Sequence, residues 1–184
     1  PHISRETLVF GGTDGNGTPM FIGRANHQND LIPGKVLVNN HCHVSYDGAE
    51  HSISSFEVLI NANFQWIQSS NGHVPQNAVV GGRTSSGEQL YVGRASHCGV
   101  ITPGKVHSSH GCIYIPFAWK EHRYTNYEVL VNNSNSGWCP PPVQPPNVCP
   151  PPIQPPNCNP GCNPGRGRGR GRGHHHHHDH HHHH

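Results

Sequence analysis

No stretch of eighteen consecutive apolar residues occurs in the 184-residue chain, so it holds no candidate membrane-spanning helix. Charge is scarce too, with Asp, Glu, Lys and Arg making up 12% of the sequence. The net charge of +2 is smaller than the contribution of the four arginines within residues 166–172. The rest is therefore near neutral and lacks the basic stripe that marks a nucleic-acid partner. No window keeps the three-to-four-residue apolar spacing of a helix for more than two turns. Cys-x-x-Cys pairs are missing, so a structural zinc site has no frame. The sequence opens at Pro1 and shows no initial methionine or signal peptide, as expected of the mature form of a secreted protein and equally of a sequence cut at an arbitrary boundary.

What the chain does have is one stretch written twice, Gly17 to Asn61 and Gly87 to Asn132. Phe21-Ile22-Gly23-Arg24-Ala25 matches Tyr91-Val92-Gly93-Arg94-Ala95, and Pro33-Gly34-Lys35-Val36 matches Pro103-Gly104-Lys105-Val106. After one inserted residue, Glu50-His51 falls on Glu121-His122, and Phe56-Glu57-Val58-Leu59 on Tyr127-Glu128-Val129-Leu130. Thr7 to Phe10, Met20 to Gly23, Lys35 to Val38, Cys42 to Tyr46 and Phe56 to Ile60 are short runs rich in Val, Ile, Phe and Tyr between turn residues, and read as strands. The expected fold is all-β: two tandem repeats forming antiparallel sheets with pseudo-twofold symmetry, followed by a non-globular proline-rich tail. Gly11-Gly12 and Gly81-Gly82 are expected to close a strand at positive φ, and Asp14-Gly15-Asn16-Gly17 to make a hairpin turn. Pro33-Gly34 and Pro103-Gly104 suit the centre of type II turns.

These motifs resemble the DM-nine repeat family over residues 2–133. The pattern is Gly-Gly, an aromatic-aliphatic-Gly-Arg-Ala, Pro-Gly-Lys-Val, Glu-His and aromatic-Glu-Val-Leu, in order in both copies. The family comprises invertebrate proteins, several of them mannose-binding lectins of innate immunity. The resemblance implies a sugar held by an acid after the Gly-Gly turn and by the lysine of Pro-Gly-Lys, which places Asp14 and Lys35 in the first site. In the second copy Lys105 is kept but Thr84 replaces the acid. Glu50, His51, Glu121 and His122 recur and border either the sugar or a structural hydrogen bond. A carboxylate accepting from adjacent hydroxyls beside an ammonium donor suits a neutral polyol, although Asp14 and Lys35 also fit a surface ion pair.

The division expected from composition is 1–62, a first repeat lacking its first strand, and 63–133, a second repeat. After these come a strand-complementing segment at 134–138, a Cys/Pro-rich polyproline II tail at 139–165, an Arg-Gly linker at 166–173 and a His-rich terminus at 174–184. The second repeat is preceded by Phe64 to Gly72, an alternating strand and turn with no counterpart before the first repeat. Trp138 follows Asn132 much as Trp66 follows Asn61, so the missing strand is expected at the far end. It either closes its own chain or enters a neighbour in a head-to-tail contact that propagates into a filament, or it packs locally.

Seven cysteines, four of them in the tail (Cys139, Cys149, Cys158, Cys162), fit an oxidising, extracellular setting. Asn16 and Asn132 begin glycosylation sequons. The terminus His174, His175, His176, His177, His178, His180, His181, His182, His183 and His184 suits zinc, copper or nickel without selectivity, or is a purification tag; no cofactor is otherwise required. His41-Cys42-His43, His97-Cys98 and His110-Gly111-Cys112 put His beside Cys, but adjacent strand residues face opposite ways, so no catalytic pair follows and a core thiol or disulfide is the expected use; ligation of zinc by His110 and Cys112 is the remaining alternative. Cys42 and Cys112 are read as equivalent. Two readings stand: a secreted mannose-type lectin with no enzymatic activity, or a structural subunit of an extracellular filament that pairs with copies of itself.

Overall fold

The computed structural model describes residues 7–60, 63–133 and 138–139, with strands alone described for the last pair. The first repeat contributes β1 (Phe10–Thr13), β2 (Pro19–His27), β3 (Asp30–Val36), β4 (Cys42–Tyr46), β5 (Ala49–Ile53) and β6 (Glu57–Leu59). After β7 (Phe64–Ser70), the second repeat answers with β8 (Val80–Arg83), β9 (Gln89–His97), β10 (Val100–His107), β11 (Cys112–Phe117), β12 (Lys120–Tyr124) and β13 (Asn126–Asn132), and Trp138–Cys139 form β14. All pairings are antiparallel, and the main path runs β14-β6-β2-β3-β4-β5-β12-β11-β10-β9-β13-β7.

Four two-residue hairpins drive this order. Gln28-Asn29, Asp47-Gly48, Cys98-Gly99 and Ala118-Trp119 each have positive φ at both positions. That is the signature of the type I′ turn, whose twist matches the strands it joins.

The repeats meet on the pseudo-twofold axis at β5 and β12, where Lys120 pairs with Ala49. Hydrogen bonds from Glu50 N to Trp119 O (3.2 Å) and from Glu121 N to Gly48 O (3.0 Å) flank that pair reciprocally. Three cores follow the same symmetry. One belongs to the first repeat (Ile32, Val44, Phe56) and one to the second (Ile113, Ile115, Tyr127). The third is shared, with Val9, Ile22 and Leu59 facing Val79, Val92 and Leu130.

Three expectations are corrected. Gly11-Gly12 and Gly81-Gly82 have no positive φ; they lie in β1 and β8, where the register shifts by a bulge. Glycine is required there by close approach. A Cβ on Gly12 would overlap the Ile101 carbonyl, and one on Gly82 the Leu31 carbonyl. Pro33-Gly34 and Pro103-Gly104 lie within β3 and β10 rather than in turns, and Gly34 and Gly104 admit the carbonyls of His43 and Tyr114 from the neighbouring strand. Gly11 and Gly81 pack on Pro103 and Pro33 of the other repeat, so these two motifs recur together because they touch. Finally, Val36 pairs with Cys42 whereas Val106 pairs with Ile113, so Ile113 is the counterpart of Cys42 and the inserted residue precedes Cys112.

Asp14 does make the expected hairpin turn, with Gly17 at φ 81°. The strand around Trp138 is found as well. Trp138 pairs with Leu59 and Cys139 with Val58 of the same chain, in the register by which Trp66 and Ile67 pair with Leu130 and Val129.

Candidate functional site

Once Pro-Gly-Lys is strand rather than turn, its lysine points inward. Lys35 and Lys105 are each only 6% exposed, which for an ammonium demands partners. They come from both repeats. Lys35 Nζ donates to Pro116 O at 2.6 Å and pairs with Glu50 Oε1 at 3.1 Å. Lys105 Nζ donates to Ser45 O at 2.7 Å and pairs with Glu121 Oε2 at 3.2 Å. Each glutamate in turn binds the hairpin of the opposite repeat: Trp119 N donates to Glu50 Oε2 at 2.8 Å, and Gly48 N to Glu121 Oε1 at 3.3 Å. Burial would raise the Glu50 carboxyl, but His43, the Lys35 charge and the Trp119 N–H together outweigh it and hold it at about 2.

The two clusters share this skeleton and differ in lining. Opposite Lys35 on the neighbouring strand stands His43; opposite Lys105 stands Tyr114. Lys35 lies 5.5 Å from the Phe117 ring, and Lys105 lies 5.6 Å from Tyr46 and 5.4 Å from Tyr114, within cation–π range. His43 Nδ1 comes within 3.1 Å of Glu50 Oε1 but off the hydrogen-bond line. Both its ring nitrogens, and Glu121 Oε2, are buried without a well-aligned hydrogen bond among the described residues; Nδ1 keeps its close approach to Glu50, and Oε2 its ion pair with Lys105.

Asp14 is turned to its own loop. Its Oδ1 accepts from Asn16 N at 2.9 Å and Thr18 N at 2.8 Å. The Thr18 bond leads the causes that lower its carboxyl, with Lys35 the smallest among those resolved. Thr84 Oγ1 takes the matching bond from Glu88 N at 3.1 Å, so the acid-to-hydroxyl exchange keeps the turn and drops the charge. His51 and His122 sit behind the aromatic lining. Their Nε2 atoms lie 3.1 Å from Tyr46 O and Phe117 O, and their rings lie against His27 and His97 at tilts of 31° and 40°, with centroids 4.1 Å apart in both pairs. The structure thus gathers Lys35 with Glu50 and Lys105 with Glu121, and sets His51 and His122 in a supporting layer. Sequence reasoning weighed His43 only beside Cys42 and placed none of His43, Tyr46, Tyr114, Phe117 and Trp119 in this site; for Trp119 the signal was the departure of Ala118-Trp119 from Asp47-Gly48 at one turn.

The remaining candidates separate. Cys42, Cys98 and Cys112 are all free thiols, so Cys42 and Cys112 are core thiols rather than a disulfide. Burial pushes the Cys42 thiol far up, and its neighbour His41 turns Nδ1 to Asn39 O at 3.0 Å. That is the opposite of an activated nucleophile. His110 Nδ1 is engaged by Tyr114 OH at 3.2 Å, and no group of three metal-competent side chains forms among the described residues. Asn16 is exposed in its loop; Asn132 is half-buried at the end of β13. The histidines of 174–184, the Arg-Gly run and the proline-rich tail beyond Cys139 lie outside the described residues.

Fold and site together define a class: an all-β protein of two interlocked repeats, each lending groups to the other's charged cluster. Residues 14–124 match the DM9 repeat, and the chain belongs to that family. It is similar to Natterin-3 of Thalassophryne nattereri, 37% identical over 98 residues, covering 51% of this chain and 24% of that protein. It is also similar to Natterin-4 of the same species, 34% identical over 93 residues, covering 48% of this chain and 22% of that protein. The chain thus spans about a quarter of the length of these curated relatives.

Proposed function

We propose that the protein is a secreted, lectin-like carbohydrate-binding protein without enzymatic activity. Its two sites lie at Lys35/Glu50 and Lys105/Glu121 and take mannose-type glycans. The observation that carries this reading is the duplicated cluster: an ammonium, a carboxylate and one or two aromatic rings, built twice across the repeat boundary. A pyranose offers vicinal hydroxyls and an apolar C–H face, and needs donors, acceptors and a ring surface in one place. Lys35 uses two of its three N–H groups on Pro116 O and Glu50, leaving one for a hydroxyl. Asp14 Oδ2 takes no part in the loop bonds made by Oδ1, and we assign it as an acceptor for the sugar of the first site. The second site, with Thr84 there, is the weaker one.

Calorimetry with methyl α-mannopyranoside tests this. The wild type should show two sites of unequal affinity, Asp14→Asn should weaken only the tighter one, and Lys105→Met only the weaker. Equal heats in wild type and all variants would remove these residues from the site.

A second reading, self-assembly, has its own observation. Repeat two is closed by the seven residues of β7, and among the described residues the equivalent edge of repeat one is paired by Trp138 and Cys139 of β14. The same β14–β6 pairing made with a neighbour would join copies head to tail, with the His-rich terminus available for zinc, copper or nickel.

A further inference from the structure

The two clusters are symmetric except at one hairpin tip. Where Asp47-Gly48 turns beside the Lys105 cluster, Ala118-Trp119 turns beside the Lys35 cluster. Both positions of this turn have positive φ, 49° at Ala118 and 67° at Trp119. Type I′ turns select Asn, Asp and Gly there because a Cβ is crowded at such angles. Of the four such hairpins, Ala118-Trp119 alone contains none of these residues. An indole is thus held where folding favours glycine, and strain of this kind collects at functional sites.

The indole is also left out of the core. Trp119 is 76% exposed, the most exposed large apolar side chain among the described residues, and it stacks on no other described ring. Its backbone is fixed on both sides by one residue of the cluster. Glu50 Oε2 accepts its N–H at 2.8 Å, and its carbonyl accepts from Glu50 N at 3.2 Å. Phe117, two residues away, lies beside Lys35.

Resting on the carbohydrate reading above, we infer that Trp119 is a stacking platform for the C–H face of a pyranoside bound at the Lys35–Glu50 cluster, and that it makes the two sites unequal in specificity. Glu50 clamps the turn while serving the cluster, so the ring and the hydrogen-bonding groups are registered to each other. The Lys105–Glu121 site has only Gly48 at this position and selects its ligand through hydrogen bonds and the tyrosines.

The test is a nitrogen-15-edited NMR titration of the full chain with methyl α-mannopyranoside, run beside calorimetry on wild type, Trp119→Tyr and Trp119→Gly. The Trp119 indole signal is the one lost in either variant. It should move on titration and saturate with the tighter site. Trp119→Gly should weaken that site about tenfold and leave the other unchanged, while Trp119→Tyr recovers most of the loss. Trp119→Gly should fold with an equal or higher Tm, since glycine suits this turn; a purely structural role would shift Tm without shifting one affinity selectively. Sugar heat with a stationary Trp119 signal and unchanged affinity in Trp119→Gly would overturn the inference and leave the carbohydrate reading intact. No heat from the wild type would overturn both.

Discussion

A lysine that reads as exposed and proves to be 6% accessible is changed in kind, because its charge is then a constraint on the fold. Lys35 satisfies that constraint with a carbonyl 81 residues away and with Glu50. The position of Lys35 was legible in the sequence, since Pro-Gly-Lys recurs; its burial was not, because the partner carbonyl of Pro116 belongs to no motif. Replacing Glu50 by Gln leaves the ammonium buried beside a neutral amide, and is expected to destabilise by about 3 kcal/mol at neutral pH. The pH dependence has a fixed sign. The folded Glu50 carboxyl sits at about 2, below its ordinary 4.5. Its stabilisation is therefore complete above about 4.5 and is lost as pH falls from there toward 2. Denaturation of wild type and Glu50→Gln at pH 7, 4 and 2.5 should show the gap shrinking with acid; a gap that stays constant would deny the ion pair its role.

Among elements, β1 and β8 show where local rules fail. Gly-Gly next to a turn invites a positive φ, but these glycines are extended and serve a strand of the other repeat. A Cβ on Gly82 would overlap the Leu31 carbonyl, a backbone atom with little room to yield, whereas one on Gly15 would meet nothing within 4 Å. Gly82→Ala is therefore expected to cost about 3 kcal/mol or more, the upper end of overpacking penalties, and Gly15→Ala to be close to neutral; thermal melts of the two compare them directly. Equal melting points would mean that β3 and β8 are not closely locked in solution. Strands β4 and β7 were legible by alternation and composition. β5 was not, because Ala49-Glu50-His51-Ser52 carries few apolar residues and owes its place to hairpin pairing with β4.

For the whole molecule, the tandem offset exposed the twofold symmetry, and the recurrence of Trp138 exposed the displaced strand. The ion pairs Lys35–Glu50 and Lys105–Glu121 each form within one repeat, but what holds them stayed hidden: the partner groups of Pro116, Ser45, Trp119 and Gly48 stand 60 to 81 positions away and arrive only when the repeats interlock. Ending the chain at Asn133 removes β14 and leaves the edge of β6 at Val58 and Leu59 without its partner. Such an edge promotes association. The shortened chain should melt lower and bind a synthetic peptide of residues 134–143, while the full chain should not. Electron microscopy of both separates closure from exchange: filaments from the full chain alone would show β14 passing between copies, and single particles would show it closing its own.

Because Lys35 reaches Pro116 while Lys105 reaches Ser45, the bonds by which the two buried clusters lock the halves are made twice, as in a dimer of identical subunits whose chains have been joined end to end. That redundancy leaves latitude: one half can lose an acid to Thr84 or gain an indole at Trp119 while its twin contacts keep the lock shut. A fused pair of this kind can hold two different recognition surfaces on one rigid frame, which two identical subunits, bound to change together, cannot.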